Sequence, residues 1–143
     1  MRFVCRNFGL SDLLRRGLAA HEAPLEVLLL DIEAELSIWE EGRVVWSEEA
    51  FPVAELVYHL ALWLQSRVAG QEGFEFDSMQ ADAGLIRIVG SDGGWRIGSD
   101  FTPDFWTSPV VWDVLVVEIK QFGRSVREGV AAMGIEPSFI PEV

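Results

Sequence analysis

The fold of this chain is decided by residues 31–47, DIEAELSIWEEGRVVWS. Apolar and polar side chains alternate from residue 32 to residue 38, which is the period of a half-buried β-strand. Glu41-Gly42 is suited to a tight turn, because glycine adopts a positive φ without steric cost. The pattern therefore predicts one long strand over residues 25–39, paired through this turn with a second strand over residues 43–47.

The register of this first hairpin decides which side chains share a face, because a slip of one residue exchanges the two faces. A two-residue loop pairs Trp39 with Val44 and Trp46 with Ser37. One predicted face is then the core, with Ile32, Ala34, Leu36, Ile38 and Val45. The other carries Asp31, Glu33, Glu35, Trp39 and Trp46. Both tryptophans are thus expected among carboxylates.

Two long helices are predicted further along the chain, over residues 52–69 and 108–132, because their apolar side chains recur at helical spacing. Ser108-Pro109 provides the start signal of the second helix, with serine as N-cap and proline in the first turn. Phe101, Phe105 and Trp106 fall in the predicted loop before it and are expected to plug the core.

A second hairpin is predicted around Asp92-Gly93, a dipeptide that favours a two-residue turn between strands. Its register places Trp95 opposite Gly90 and Ile97 opposite Ile88. Shorter elements are a strand over residues 2–8, a short helix after Ser11-Asp12 and a strand at residues 74–76.

These elements together predict an α+β fold in one domain that spans residues 1–143. The expected architecture is an antiparallel sheet of about five to six strands, with the helices 52–69 and 108–132 packed on one face. Antiparallel strands with one polar face favour this arrangement over a doubly wound parallel sheet.

Charge limits the classes of partner. The chain has 11 basic and 23 acidic residues, a net charge of −12, which argues against nonspecific binding to nucleic acid or to an anionic membrane. Its longest apolar run, Leu60–Leu64, is far below the ~20 residues of a membrane span. A single cysteine, Cys5, rules out a disulfide within the chain. A cytoplasmic location is expected.

Catalytic signatures are missing from the sequence, and no metal or other cofactor is predicted. The weak alternative is a small enzyme centred on Glu55 and His59, which lie four positions apart on the first long helix. A carboxylate at that spacing can support a histidine acting as a general base. No nucleophile is marked nearby.

A partner-binding surface is the leading interpretation. Residues 22–55 hold ten acids and one base, so the first hairpin should carry a strongly negative field that attracts a basic protein. The proposed contact residues are Glu33, Glu35, Trp39, Glu40, Glu41, Trp46, Glu48 and Glu49. The opposing interpretation is a solvated acidic face that only keeps the protein in solution. A homodimer is a further alternative, with Trp63 and Trp112 as the contacts to check.

Five segments of the chain carry a resemblance: residues 6–12 (RNFGLSD), 51–56 (FPVAEL), 74–79 (FEFDSM), 84–88 (GLIRI) and 101–103 (FTP). They resemble a family of small, uncharacterised bacterial proteins, mostly from high-GC actinobacteria. The resemblance covers most of the chain. The family has no assigned activity, so the resemblance carries no catalytic role over to this chain. By size and charge the chain is also similar to immunity proteins, which neutralise secreted bacterial toxins.

Overall fold

The structure, a computed structural model, describes residues 1–10, 24–66, 69–76, 85–99 and 102–142. Its elements in chain order are β1 (Arg2–Leu10), α1 (Leu25–Asp31), β2 (Ile32–Glu40), β3 (Arg43–Phe51), α2 (Val53–Gln65), β4 (Phe74–Glu75), β5 (Arg87–Ser91), β6 (Gly94–Ser99), β7 (Thr102–Trp106) and α3 (Trp112–Ala132), followed by a 3-10 turn at Pro137–Phe139. The fold is α+β, as predicted. The short helix expected after Ser11-Asp12 lies outside the described residues.

The strands form two antiparallel sheets, and the prediction of one sheet is wrong. In the described part of the chain, one sheet has three strands in the order β1-β2-β3, and the other has four in the order β4-β5-β6-β7. The error has a physical origin. A hairpin satisfies its backbone hydrogen bonds locally, so its sequence does not reveal whether it shares a sheet with another hairpin.

The first hairpin is confirmed, but its register departs from the prediction. Trp39 pairs with Val44 as expected, whereas Trp46 pairs with Ile38 and not with Ser37. Val45 is an extra residue in β3, which makes a β-bulge. The bulge turns the Trp46 indole to the side of Ile38, so Trp46 is buried in the core while Val45 is only partly covered.

The second hairpin matches the prediction. Ile97 pairs with Ile88 and Trp95 with Gly90, and the two-residue loop is Asp92-Gly93. β7 then adds a strand beside β6 where a loop was predicted. Phe105 in this strand is buried, which confirms its expected packing against the core, whereas Phe101 lies outside the described residues.

The segment before the first hairpin is helical and not part of the long strand predicted over residues 25–39. The Leu28 N–H donates a hydrogen bond of 3.1 Å to the Pro24 carbonyl, which closes the first turn of α1. Residues 25–30 are nearly all apolar and lack the alternation of a half-buried strand. The strand begins at Ile32, where that alternation starts.

α2 is shorter than predicted, because Ser66 leaves the helix in an extended conformation. Both the N–H and the Oγ of Ser66 donate to the Trp63 carbonyl, at 3.0 Å and 2.6 Å. These bonds occupy a carbonyl that the helix end would otherwise leave without a partner.

α3 begins at Trp112 and not at residue 108. The Val110 N–H and carbonyl bond the carbonyl and N–H of Trp95, at 2.9 Å and 2.7 Å, so Val110 continues the four-stranded sheet. Ser108 does not cap the helix; it bonds the Glu40 carboxylate. The Ser-Pro signal therefore serves a contact between distant segments.

One continuous core joins the sheets and the helices. Phe3 of β1 stacks on Phe122 of α3 with ring centroids 4.8 Å apart. Trp46 of the three-stranded sheet stacks on Phe105 of the four-stranded sheet at 5.7 Å. Phe3 and Trp46 both pair with Ile38, so these aromatic pairs pack the same face of the three-stranded sheet against α3 at β1 and against the second sheet at β3.

Candidate functional site

Three of the predicted binding residues meet at one cavity on the three-stranded sheet. Glu33 and Glu35 come from β2, and Glu49 comes from β3. Together with Asn7, Gly9, Leu10, Ala34 and Ala50, they line a cavity of about 370 Å³. We call this cavity the acidic pocket. It concentrates carboxylates from two strands in one place, so it is the candidate site for a cationic group.

Two β-bulges flank the acidic pocket on either side of β2. In β1, Asn7 and Phe8 together oppose Ala34, and Asn7 has a φ of 57°. In β3, Glu49 and Ala50 together oppose Glu35, and Ala50 has a φ of 51°. Neither residue is glycine, so the left-handed conformation is costly for Ala50, whereas asparagine adopts it more readily at position 7. Bulges of this kind re-aim neighbouring side chains, and here both border the same cavity.

The sheet order also brings positive charge to this face. Register pairs Arg6 of β1 with Glu35, and Arg2 with Trp39. The first hairpin taken alone has one basic residue, Arg43, and the neighbouring strand adds two. The acidic pocket is therefore bordered on its β1 side by arginine, so its negative field is directed more strongly towards β3.

Trp39 and Glu41 belong to a different cavity. They line a space of about 470 Å³ with Met1, Arg2, Val4, Arg6, Gly42 and Glu118. Trp39 is half-buried, and its indole N–H donates a hydrogen bond of 3.0 Å to the Ser37 Oγ. This bond fixes the orientation of the ring. The ring lines this second cavity, whose residues carry both charges, and it does not line the acidic pocket.

The other predicted contact residues lie apart from the acidic pocket. Trp46 is only 8% exposed and packs on Phe51 and Phe105, so it is a core residue. Glu40 is engaged by Ser108. Glu48 is exposed on β3, opposite Leu36. The expectation that two tryptophans lie together among the carboxylates is therefore wrong, because the bulge at Val45 separates them.

The Glu55–His59 pair forms as predicted on α2. The His59 Nε2 lies 4.0 Å from the Glu55 Oε1, with the Glu55 side chain fully buried and that of His59 38% exposed. The His59 ring meets Phe76 edge-on at 6.2 Å. At 4.0 Å the carboxylate is within ion-pair distance of the imidazole but not within hydrogen-bond distance, so it supports a general base only if the two side chains move closer.

The two tryptophans proposed for a dimer contact pack against each other. The ring centroids of Trp63 and Trp112 lie 5.5 Å apart, and each also contacts Trp95, at 6.0 Å and 5.0 Å. They join α2, α3 and the four-stranded sheet. The largest exposed apolar group on α3 lies elsewhere, at Val114 and Val117, with Val111 just before the helix.

Within the described ranges, no three histidine, cysteine or carboxylate side chains are grouped so that they could hold a metal ion. Among the helices of those same residues, none has the length and apolar character needed to cross a membrane.

Sequence reasoning missed the residues that shape the acidic pocket. Asn7 and Ala50 border it through their left-handed backbone, and only Asn7 belongs to a residue type that often adopts this conformation. The interrupted alternation of residues 6–9 was the one available signal of a bulge there. The approach of Arg2 and Arg6 depends on the pairing of β1 with β2, which no local pattern specifies.

Comparison with known proteins identifies a family but no activity. No protein of curated function and no solved structure matches this chain. Residues 10–132 match the family described as Domain of unknown function (DUF7878). This match covers most of the chain, including α1, α2, α3 and both sheets apart from most of β1. The protein is therefore a member of the DUF7878 family of domains of unknown function.

Proposed function

We propose that this protein is a non-catalytic binding protein whose acidic pocket receives a lysine or arginine side chain of a basic partner protein. The single observation that carries the proposal is the convergence of Glu33, Glu35 and Glu49 at one cavity of about 370 Å³. An immunity- or antitoxin-like neutralisation of a basic bacterial protein is the concrete form of this role.

The surroundings of the pocket support a protein partner. Glu48 and Glu49 are exposed on β3, which lies at the end of the strand order β1-β2-β3. A partner strand or loop approaching β3 would meet these carboxylates first. The net charge of −12 adds long-range attraction for any basic protein.

The strength of exposed ion pairs limits what the acidic pocket contributes to the affinity for a partner. An exposed ion pair is worth only about 0–1 kcal/mol, so three carboxylates alone do not give tight binding. Complementary charge instead raises the association rate and selects the correct partner. We therefore expect binding that weakens steeply with salt, and a dissociation rate set by contacts outside the pocket.

The experiment compares partner capture by three forms of the full chain. The wild type, an E35K/E49K variant and an E72K/E136K control are immobilised and exposed at low salt to lysate of the cells that produce the protein. Glu72 and Glu136 are exposed like Glu49, so the control changes net charge equally. We expect the control to retain a basic partner that E35K/E49K loses.

The competing outcomes are distinct. If both variants lose the same partners, net charge alone governs the capture, and the acidic pocket is not the site. If both retain the partners, the acidic face is merely solvated. For an immunity-like role, co-expression of the chain with its captured partner should relieve the partner's toxicity, and E35K/E49K should not.

A small enzyme is the second candidate, and the buried Glu55 beside His59 is the observation that favours it. Chromogenic ester, phosphoester and glycoside substrates provide the test, with His59→Gln as the variant. Turnover that disappears in His59→Gln supports this candidate. No turnover, or turnover that survives the substitution, removes it.

A further inference from the structure

A groove between α3 and the segment that follows it carries the opposite charge to the acidic pocket. Lys120, Arg124 and Arg127 follow one another along α3 at spacings of four and three positions, which places them on one face of the helix. All three line a cavity of about 470 Å³. In a chain with 23 acidic residues, such a cluster is the exception that requires explanation.

The second wall of the groove is the segment that follows α3. Gly134, with a φ of 82°, turns the chain back, and the Ile135 N–H donates to the Val130 carbonyl at 3.3 Å. Ile135 and Ile140 are buried in the core. These anchors hold Pro137 and Pro141 against the groove, so the cavity is formed by packed elements and not by a loose chain end.

The lining combines cations with apolar surface. Ala131, Pro137 and Pro141 provide apolar walls, and Gly123 lines the groove beside Arg124. The remaining lining residues, Glu128 and Glu142, are the acids of the groove. Its volume lies within the roughly 300–1,000 Å³ of small-molecule sites.

The carboxylate of Glu142, one of the lining residues, is already paired with a cation of this groove. The Glu142 Oε1 lies 2.7 Å from an Nη atom of Arg127, and the Glu142 side chain is 82% exposed. An exposed ion pair is weak, so a ligand that contacts several cations together can displace it. Lys120 and Arg124 are exposed at the same groove.

We propose that this groove binds a small organic anion, in which a carboxylate or phosphate group is attached to an apolar body. Arg124 and Lys120 bind the oxyanion, and Arg127 joins them when Glu142 moves away. Guanidinium groups match both carboxylate and phosphate, since their parallel N–H groups reach two oxygens at once. Glu142 acts as an internal competitor. This site is independent of the acidic pocket and its partner.

The test measures binding of three ring compounds to the full chain by NMR titration: phenyl phosphate, benzoate and, as the uncharged control, benzyl alcohol. We expect saturable shifts in the Arg124 and Arg127 side-chain N–H signals with at least one anion, at a Kd of about 1 mM or below. Tighter phenyl phosphate identifies a phosphate ester as the ligand class, and equal or tighter benzoate identifies a carboxylate. Equal binding of benzyl alcohol, or no saturable binding, overturns the proposal.

Substitutions then assign the roles. Arg124→Gln should weaken anion binding about fivefold, because one charged contact is lost. Glu142→Gln should strengthen it about threefold, because Arg127 is released. Arg43→Gln removes an exposed arginine on β3 and should leave the Kd unchanged. If Arg124→Gln equals Arg43→Gln, or if Glu142→Gln fails to strengthen binding, the groove is not an anion site.

Discussion

The Glu40 carboxylate accepts two hydrogen bonds from Ser108, one of 2.8 Å from its backbone N–H and one of 3.1 Å from its Oγ. These residues are 68 positions apart. The contact ties the end of β2 to the segment between β7 and α3, and it uses a carboxylate that the sequence analysis had assigned to partner binding.

Removal of this contact should destabilise the fold. We expect Glu40→Ala to lower the free energy of unfolding by about 1 kcal/mol, because a charged acceptor of two hydrogen bonds is lost at a partly exposed site. Urea denaturation measures the change. Glu41→Ala, at the exposed neighbour, is the control and should stay near the wild type. Equal midpoints for the two variants would mean that Ser108 is satisfied equally well by water.

The burial of Trp46 predicts a large difference between the tryptophans of the first hairpin. Trp46→Ala should cost about 3–5 kcal/mol, because it empties a site between Phe51 and Phe105. Trp39→Ala should cost much less, since its ring is half-buried. Chemical denaturation of both variants tests this ordering, and similar losses would place Trp46 outside the core.

The bridge between Trp95 and Val110 makes Gly94 a sensitive position. A Cβ at Gly94 would lie 2.6 Å from the Val110 carbonyl oxygen. The φ of Gly94 is also positive, at 122°. Gly42 also has a positive φ, of 79°, but its Cβ would meet nothing within 4 Å. Gly42→Ala therefore reports backbone strain, of about 1 kcal/mol.

Gly94→Ala should lower the free energy of unfolding by about 1–3 kcal/mol more than Gly42→Ala does, because the Val110 carbonyl must also shift. Thermal unfolding of the two variants gives the comparison. A Gly94→Ala variant as stable as Gly42→Ala would show that the Trp95–Val110 bridge gives way freely.

Cys5 predicts a pH dependence of stability. Burial raises the pKa of the Cys5 thiol from 9.0 to about 12, because the thiolate is poorly solvated beside the core. The folded state therefore keeps a proton that the unfolded state loses, so this group favours folding fully below pH 9.0 and progressively less towards pH 12.

The measurement is the difference in unfolding free energy between the wild type and Cys5→Ala. We expect this difference to be constant below pH 9.0 and to shift against the wild type as the pH rises. A difference that stays constant through alkaline pH would mean that the thiol ionises as readily in the folded protein as in the unfolded chain.

Local patterns predicted some elements well for a physical reason. The Asp92-Gly93 turn permits only one register, so the pairs Trp95–Gly90 and Ile97–Ile88 followed directly. The Glu55–His59 contact was equally predictable, since a helix fixes the distance between positions four apart.

The remaining features depend on contacts between distant segments. The bulges at Val45 and Ala50 add residues to β3 that no alternation pattern reveals, and the bulge at Val45 moved Trp46 into the core. Ser108-Pro109 is a sequence pattern typical of a helix start, but Ser108 donates its hydrogen bonds to Glu40 and does not cap the helix. The acidic pocket forms only when three strands pair in their final register. The sequence therefore identified the glutamates but not the cavity that three of them line.

The strand order β1-β2-β3 gives this sheet one cationic rim and one anionic rim. The β1 rim carries Arg2 and Arg6 and no acid, whereas the β3 rim carries Glu48 and Glu49 besides Arg43, and all five are exposed. Two copies joined symmetrically, β1 to β1, would set arginines side by side, which disfavours such pairing. A head-to-tail contact of β1 with β3 would bring arginines near glutamates, so charge biases the sheet against symmetric association through β1.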